Sequence, residues 1–277
     1  MSRIFLVMLF TFSANILFAQ REKQTVSSKP FVLGETVELQ SKVLGEKRTL
    51  NIYLPEGYNA KDSIKYPVIY LLDGSADEDF IHIVGLVQYN SFEWINNISK
   101  SIVVGIATVD RRRDFTFETT IAKDKKAYPS TEHSNAFINF IEKDLQPFIE
   151  ATYKPNALKT IIGQSLGGLL ATEILFTRPQ LFNNYIIVSP SLWWNNGSLL
   201  QQTMANLSNM KIYIGVGKEG LTPTDIPRVM EVDANALADK IKSKKANNVQ
   251  VYFDYLPLEN HATIMHQAVY NAIKLLR

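Results

Sequence analysis

Short continuous runs of apolar residues recur along the chain and are bounded by turn residues. Such runs are typical of strands buried on both faces of a parallel sheet. Two segments near the start instead alternate apolar and polar residues, which predicts a pair of half-buried strands. The alternating segments are ETVELQSKVLG and KRTLNIYLP, and the continuous runs lie in YPVIYLLDG, SIVVGIATV, LKTIIGQS, NNYIIVSPS, KIYIGVG and VQVYFDYLP.

Segments with apolar residues at helical spacing lie between these strands. They are HSNAFINFIEKDLQPFIEATY, Leu169 to Thr177, Asp233 to Lys244 and Ala262 to Leu276. Pro147 predicts a kink or break in the first of them. Strands that alternate with helices predict right-handed crossovers and a mostly parallel sheet in one α/β domain. The longest piece without a pattern is Asp110 to Thr131, and long loops of compact domains are usually functional.

The first twenty residues predict a secretory signal peptide. Arg3 precedes an apolar stretch from Ile4 to Phe18, and cleavage is expected after Ala19 or Gln20. An uncleaved anchor is the alternative, but the stretch is shorter than the roughly 20 residues that a spanning helix needs. We therefore expect a signal peptide over residues 1–20 and a single α/β domain over 21–277. The mature protein is expected to be secreted or periplasmic, with no stable membrane insertion.

Composition narrows the function classes. The 277 residues are 46% hydrophobic and 20% charged, with a formal net charge of +2. The chain lacks the basic field that nucleic-acid binding needs, so we expect no nucleic-acid partner. It has no cysteine, which excludes disulfides and thiolate chemistry. No metal-ligand cluster and no glycine-rich phosphate loop are present in the sequence, so no metal and no cofactor are predicted.

The segment GQSLG, from Gly163 to Gly167, follows a predicted strand and precedes a predicted helix. This is the context of the G-x-S-x-G nucleophile elbow, in which a strained turn lifts a serine hydroxyl clear of the sheet. The alternative is a plain glycine-rich turn capped by a serine. The flanking elements favour Ser165 as a nucleophile.

A serine hydroxyl needs a base, and the chain has four histidines: His82, His133, His261 and His266. In the hydrolase fold the chain order is serine, acid, histidine, which excludes the first two. His261 follows the last strand, where a loop can reach the serine. His266 stands inside the closing helix and is expected to face a neighbour or solvent, so His261 is the predicted base.

The predicted acid is Glu219, which directly follows a strand end and would orient the imidazole. Asp225 and Asp233, later in the same connection, are its rivals. A solvated loop carboxylate is the alternative for Glu219. Asp254 and Glu259 are expected to be structural.

An oxyanion needs two backbone donors in such a site. The first is predicted to be the N–H of Leu166, the residue after the nucleophile. The second is expected from the loop after YLLDG, and is therefore Gly74 or Ser75.

The chain resembles the esterase family of α/β-hydrolases that includes siderophore esterases, feruloyl esterases, S-formylglutathione hydrolases and mycolyl transferases. The resemblance is carried by RTLNIYLPEGY, YPVIYLLDG, VVGIATVDRRRDFT, FINFIEKDLQPFIEATY, GQSLGGLLATEILFTRPQLFNNYIIVSPSLWW, VGKEG and ENHATI. It implies the α/β-hydrolase fold, Ser165 as nucleophile and His261 as base. It supports Glu219 less, because some members work with a serine–histidine pair. Arg112 and the long connection after Glu219 depart from the family pattern and concern substrate specificity.

Three further side chains are candidates for substrate binding. Trp193 could stack on a ring or cover the core, whereas its neighbour Trp194 is expected to be a core residue. Arg111 in DRRRDF could meet an anionic ligand, or the arginines of this segment could be solvated or pair with Asp114. His82 could touch substrate, or it could be a surface or core histidine.

These observations predict a serine ester hydrolase without a large lid domain, because only Asn195 to Met210 separates two consecutive strands. An open site suits siderophore-type lactones, or acyl and feruloyl esters of carbohydrates, as small-molecule or polysaccharide-linked substrates. An acyltransferase with the same serine, histidine and acid is the second hypothesis. A non-catalytic ligand-binding protein of the same fold is the third.

Overall fold

A computed structural model of the chain describes residues 27–222, 224 and 226–276. From Leu33 onward the chain forms one compact unit. The predicted signal peptide lies outside the described residues, as does the rival acid Asp225.

A single eight-stranded sheet has the strand order β1-β2-β4-β3-β5-β6-β7-β8. β1 pairs with β2 and β2 with β4 in antiparallel fashion, while all other neighbours are parallel. The strands are β1 (Glu35–Gln40), β2 (Lys47–Tyr53), β3 (Val68–Leu72), β4 (Ile102–Ile106), β5 (Lys159–Gln164), β6 (Asn184–Val188), β7 (Met210–Gly217) and β8 (Val249–Leu256). This is the predicted mostly parallel α/β-hydrolase sheet.

Helices cover both faces of the sheet, which explains why the central strands read as continuous apolar runs. The α-helices are α1 (Phe80–Asn90), α2 (Arg111–Phe115), α3 (Ala122–Ala127), α4 (Ser134–Phe140), α5 (Gln146–Tyr153), α6 (Leu166–Thr177), α7 (Trp194–Gln201), α8 (Met230–Ser243) and α9 (Ile264–Leu275). Helices α1 and α9 pack on one face, and α4, α5, α6 and α8 pack on the other. All residues of α6 from Leu166 to Phe176 are buried, so the serine elbow is anchored in the core.

The structure differs from the sequence pattern in two places, one in a predicted helix and one in a stretch without a pattern. A π-helical turn, Ile141–Leu145, separates α4 from α5, and Pro147 lies in the first turn of α5. A proline there lacks the N–H that would continue the ladder, so the predicted kink is a change of helix type. Asp110 to Thr131, which showed no pattern in the sequence, contains α2 and α3. Both helices are too short for helical periodicity to be visible.

The connection between β6 and β7 holds only the short helix α7. Within the part of the chain that the structure describes, no lid domain covers the carboxyl ends of the parallel strands. No helix among the described residues is long and apolar enough to cross a membrane.

Candidate active site

Ser165 occupies a strained backbone conformation between β5 and α6, with φ 58° and ψ −117°. Close packing of the turn requires glycine at two neighbouring positions. A Cβ on Gly163 would lie 2.4 Å from the carbonyl oxygen of Gly167, and one on Gly168 would lie 3.0 Å from Pro190 Cα. These contacts explain why glycines flank the serine. The backbone is therefore that of a nucleophile elbow, which presents the hydroxyl above the sheet.

Glu219 and His261 form a direct pair. Nδ1 of His261 lies 2.6 Å from Oε2 of Glu219, and the side chain of Glu219 is only 4% exposed. The Ser189 hydroxyl donates a hydrogen bond to the other oxygen, Oε1, and the Gly217 N–H lies 3.3 Å from the same atom. The carboxylate is thus fixed through both oxygens.

The environment of Glu219 lowers its pKa. Burial by itself would raise the pKa, because it disfavours the charged form. Hydrogen bonds from His261 and Ser189, the charge of His261 and the Gly217 N–H outweigh burial. Glu219 therefore stays ionised to lower pH than an ordinary glutamate, which suits the acid of a triad.

His261 and Ser165 line one cavity of about 410 Å³, which we call the serine cavity. The residues that line it are Asp73, Glu78, Asp79, Arg111, Gln164, Ser165, His261 and Ala262. The Gln164 side-chain amide donates to the carbonyl oxygen of His261, so the residue before the serine holds the histidine loop. In the same loop, the Ala262 N–H donates to the Asn260 side chain at 2.8 Å.

Two of the other carboxylates, the rival Asp233 and the residue Asp254, are bound elsewhere in the described structure. Asp233 is buried in a bidentate ion pair with Arg228, at 2.6 and 2.7 Å. Asp254 accepts hydrogen bonds from the Tyr213 hydroxyl and the Asn271 amide, which is the structural role expected of it. Of Glu219, Asp233 and Asp254, Glu219 is the one that contacts a histidine ring in the described structure.

The two candidates for the second oxyanion donor differ in their hydrogen bonds. The Gly74 N–H donates to the carbonyl oxygen of Ile106 at 3.0 Å, so it extends the sheet and is not free. In the described structure, the Ser75 N–H has no hydrogen-bond partner. The Leu166 N–H is the first of α6 and likewise has no acceptor within its helix. Leu166 and Ser75 are therefore the available pair of donors.

Arg111 lines the serine cavity and is held there by Asp73. The guanidinium makes a bidentate ion pair with the Asp73 carboxylate at 2.8 and 3.0 Å and donates to the Gln164 carbonyl at 3.2 Å. Burial raises the pKa of Asp73, while the hydrogen bond and charge of Arg111 act against that rise. The predicted pairing of an arginine in this segment with Asp114 belongs to Arg113.

The other two candidates for substrate binding lie outside the serine cavity. His82 is exposed on α1 and makes an edge-to-face contact with His266, at 5.7 Å between ring centroids. His266 thus faces a neighbouring helix, as expected. Trp193 lines a second cavity of about 130 Å³, which we call the aromatic cavity, together with residues of α3. Trp194 is 1% exposed and donates its indole N–H to the Phe117 carbonyl, so it is the predicted core residue.

The sequence patterns did not identify several polar residues of the site. Ser191 places its hydroxyl 3.3 Å from that of Ser165, and Ser189 supports the acid. Both belong to the SPS segment after β6, the neighbour of β5. Since carboxyl ends of adjacent parallel strands meet, this segment could have been flagged. Asp73 and Gln164 contact segments that are distant in the sequence, Arg111 and the carbonyl of His261 respectively, and only the fold reveals these contacts.

Among the described residues, no group of three or more histidine, aspartate or glutamate side chains is placed to hold a metal ion.

The sheet, the elbow and the histidine–carboxylate pair define an α/β-hydrolase-fold enzyme. The sequence model of a family described as "Putative esterase" matches residues 41–257. The chain belongs to this esterase family and is a carboxylic ester hydrolase.

Individual relatives agree with this assignment. The chain is 28% identical over 265 residues to the ferri-bacillibactin esterase BesA of Bacillus subtilis, covering 90% of this chain and 91% of the relative. It is similar to the crystal structure of an IroE-like serine hydrolase from Shewanella oneidensis, with 30% identity and a TM-score of 0.76. The match covers 87% of this chain and 79% of that protein. The crystal structure of the BES protein from Bacillus cereus is 29% identical in sequence, with a TM-score of 0.74. The match covers 91% of this chain and 98% of that protein.

Proposed function

We propose that this protein is a serine esterase that hydrolyses siderophore-type esters through an acyl-enzyme on Ser165. The observation that carries the proposal is the 2.6 Å contact between His261 Nδ1 and Glu219 Oε2, beside the cavity that also contains Ser165. A carboxylate on Nδ1 fixes the tautomer that leaves Nε2 free to act as a base.

In the proposed first step, Ser165 Oγ bonds to the ester carbonyl carbon while its proton passes to His261 Nε2. The carbonyl oxygen becomes an oxyanion, which the N–H groups of Leu166 and Ser75 stabilise. The imidazolium, stabilised by Glu219, then donates its proton to the departing alkoxide. The ester C–O bond breaks, and the alcohol and an acyl-Ser165 result.

In the second step, water replaces the alcohol and the sequence runs in reverse order. His261 removes a proton from the water molecule, which attacks the acyl carbonyl. The tetrahedral intermediate collapses to release the acid and restore Ser165. An alcohol acceptor in place of water would give acyl transfer with the same groups, so product analysis distinguishes the two.

The proposed substrate class rests on the relatives and on the shape of the site. A protein named as a ferri-bacillibactin esterase is similar over nearly the full length of the chain. The serine cavity, of about 410 Å³, is not covered by a lid in the described structure, which suits a bulky lactone. Arg111, which Asp73 holds in the cavity wall, would offer its remaining N–H groups to a polar substituent, and Trp193 in the aromatic cavity would contact a ring. Acyl or feruloyl esters of carbohydrates are the competing substrates.

We also propose that the enzyme acts outside the cytoplasm, because Arg3 and the apolar stretch after it have the pattern of a signal peptide. Cell fractionation of the full chain tests this. The mature N-terminus should begin near Arg21, and the enzyme should appear in the periplasm or medium.

The function is tested by a hydrolysis panel of ferric and iron-free enterobactin, methyl ferulate, acetylated xylan and 4-nitrophenyl acetate. The proposal expects the highest kcat/KM on a siderophore lactone and loss of all activities in Ser165→Ala. A preference for methyl ferulate or acetylated xylan would overturn the substrate class while leaving the esterase intact. Addition of a sugar acceptor should not divert the product from free acid to transferred ester.

A further inference from the structure

The loop that carries Glu219 leaves the sheet immediately after β7. Gly220 adopts a left-handed conformation, with φ 74°, and a Cβ at this position would touch nothing within 4 Å. The glycine therefore serves the backbone turn itself rather than a close contact. A short bridge between Leu221 and Val229 closes the loop, and the Met230 N–H donates to the Gly220 carbonyl at 3.0 Å.

The Glu231 carboxylate binds the backbone of this loop at the acid. Its Oε1 accepts hydrogen bonds from the Glu219 N–H at 2.9 Å and the Gly220 N–H at 3.1 Å, and its Oε2 accepts from the Gly220 N–H at 3.0 Å. Consecutive N–H groups that end at a left-handed residue form an anion-binding concavity. In the described structure these two N–H groups are the only hydrogen-bond partners of the carboxylate.

A carboxylate in the first turn of a helix is commonly explained by its interaction with that helix's own N-terminus. Glu231 is the second residue of α8, but its hydrogen bonds go to the loop before the helix instead. Because α8 is held in the core by buried residues such as Leu237 and Ile241, Glu231 connects a rigid element to the backbone of Glu219.

We infer that Glu231 is a positioning residue for the reaction: it fixes the Glu219 backbone so that the Glu219 carboxylate reaches Nδ1 of His261. This inference rests on the proposed function, in which Glu219 is the triad acid. Misplacement of a catalytic group by about 1 Å can cost on the order of 10²-fold in rate. The Ser189 hydroxyl and the Gly217 N–H hold the Glu219 carboxylate, whereas Glu231 holds its main chain.

The test compares Glu231→Gln and Glu231→Ala with wild type, alone and combined with Glu219→Gln. Asp239→Asn is the matched control, since it removes a carboxylate from an exposed position of the same helix, where Asp239 accepts from Asn235. We expect kcat/KM to fall about tenfold in Glu231→Gln, which keeps one acceptor oxygen, and about 10²-fold in Glu231→Ala. Asp239→Asn should be unchanged.

The decisive readout is additivity. A residue that acts through Glu219 should cause little further loss once Glu219 is already Gln, so the two effects should not multiply. A general loss of structure would instead lower activity by the same factor in both backgrounds. Thermal unfolding of each variant shows that the fold is retained.

The outcomes separate this inference from the function on which it rests. Wild type without ester hydrolysis would contradict the proposed function, and a silent Glu219→Gln would contradict the triad assignment. If Glu219→Gln is crippled while both Glu231 variants are silent, or lose activity multiplicatively with it, the positioning role alone is overturned.

Discussion

His261 Nδ1 and Glu219 Oε2 are 2.6 Å apart, and the carboxylate in this pair has no free oxygen. The Glu219 side chain is nearly fully buried, whereas that of His261 is 46% exposed. A buried, immobilised carboxylate against a ring that opens to the serine cavity is the arrangement expected of a triad acid and its base.

The first prediction separates the two histidines near the carboxyl terminus. His261→Ala should lower kcat/KM by several orders of magnitude, because the serine loses its base. His266→Ala should stay within about twofold of wild type, since its ring contacts only His82 among the rings of the described structure. Hydrolysis of 4-nitrophenyl acetate measures both. The opposite ranking would show that the wrong histidine has been assigned.

The second prediction concerns the acid dependence of stability. The pKa of Glu219 in the folded protein lies below its ordinary value of 4.5. Between these two pKa values the native state therefore binds fewer protons than the unfolded state. The stabilisation is complete above pH 4.5 and is lost as the pH falls through the folded pKa. In wild type this effect makes the unfolding free energy rise with pH, and Glu219→Gln should remove the contribution of Glu219 to that rise. Urea unfolding at a series of pH values from 3 to 6 measures it.

Glu259→Gln, which removes a carboxylate that does not contact His261 in the described structure, serves as the control for that measurement. In Glu219→Gln, kcat/KM at pH 7 should fall by about 10⁴-fold, because the imidazolium formed during attack has no charged partner. Full activity in Glu219→Gln would favour a serine–histidine pair without an acid.

The third prediction concerns Glu173, a buried carboxyl group on α6. Oε1 accepts from the Ser134 hydroxyl at 3.0 Å, and Oε2 is buried without a hydrogen-bond partner. Burial raises its pKa to about 7, against the Ser134 hydrogen bond and the charge of Arg178. In this case the native state binds more protons than the unfolded one, so stability is lost as the pH rises from the unfolded value of 4.5 through 7.

Glu173→Gln should therefore gain about 3 kcal/mol in unfolding free energy relative to wild type between pH 4.5 and pH 8. Urea unfolding at a series of pH values measures the difference. Glu150→Gln, whose side chain is 55% exposed beside Lys159, should show no such pH-dependent gain. Parallel profiles for wild type and Glu173→Gln would mean that Glu173 is solvated.

The fourth prediction concerns Trp193 in the aromatic cavity. This cavity has about 130 Å³ and is lined in part by Tyr128 and Ile121, a volume close to that of cavities that accept a benzene ring, about 150 Å³. Trp193 lies two residues after Ser191, whose hydroxyl is 3.3 Å from that of Ser165. An ester with an aromatic acyl group could therefore reach the cavity from the serine.

Trp193→Ala should raise KM for a benzoyl ester about five- to tenfold, the worth of one aromatic contact, and leave the acetyl ester with the same leaving group unchanged. Trp94→Ala is the control, because Trp94 is 77% exposed and stacks on Phe92. An equal effect on both esters would assign Trp193 to the core rather than to the substrate.

The sequence predicted what is encoded locally. The apolar runs located the parallel strands, and GQSLG between a strand and a helix located the elbow at Ser165. The chain order then pointed to His261 and Glu219, because a parallel sheet brings the loops after its strands to one edge. The contact between His261 and Glu219 agrees with this expectation, and the catalytic roles of the three residues are the proposal that the experiments test.

What the sequence could not predict depends on contacts between distant segments. Whether Gly74 or Ser75 offers the free N–H depends on the bond from Gly74 to Ile106. The bond from Glu231 to the Glu219 backbone depends on how α8 returns to the sheet. The cavity that Trp193 lines with α3 could not be predicted either, because α3 is too short for helical periodicity to be visible in the sequence.

In the proposed mechanism Ser165 carries the acyl group, and the hydroxyl of Ser191 lies only 3.3 Å from that of Ser165. The most direct measurement is an acid quench during turnover of a 4-nitrophenyl ester, followed by peptide mass mapping. We expect an added acyl mass on Ser165, its absence in Ser165→Ala, and its presence in Ser191→Ala. An acyl group on Ser191, or hydrolysis that continues in Ser165→Ala, would show that Ser165 is not the nucleophile.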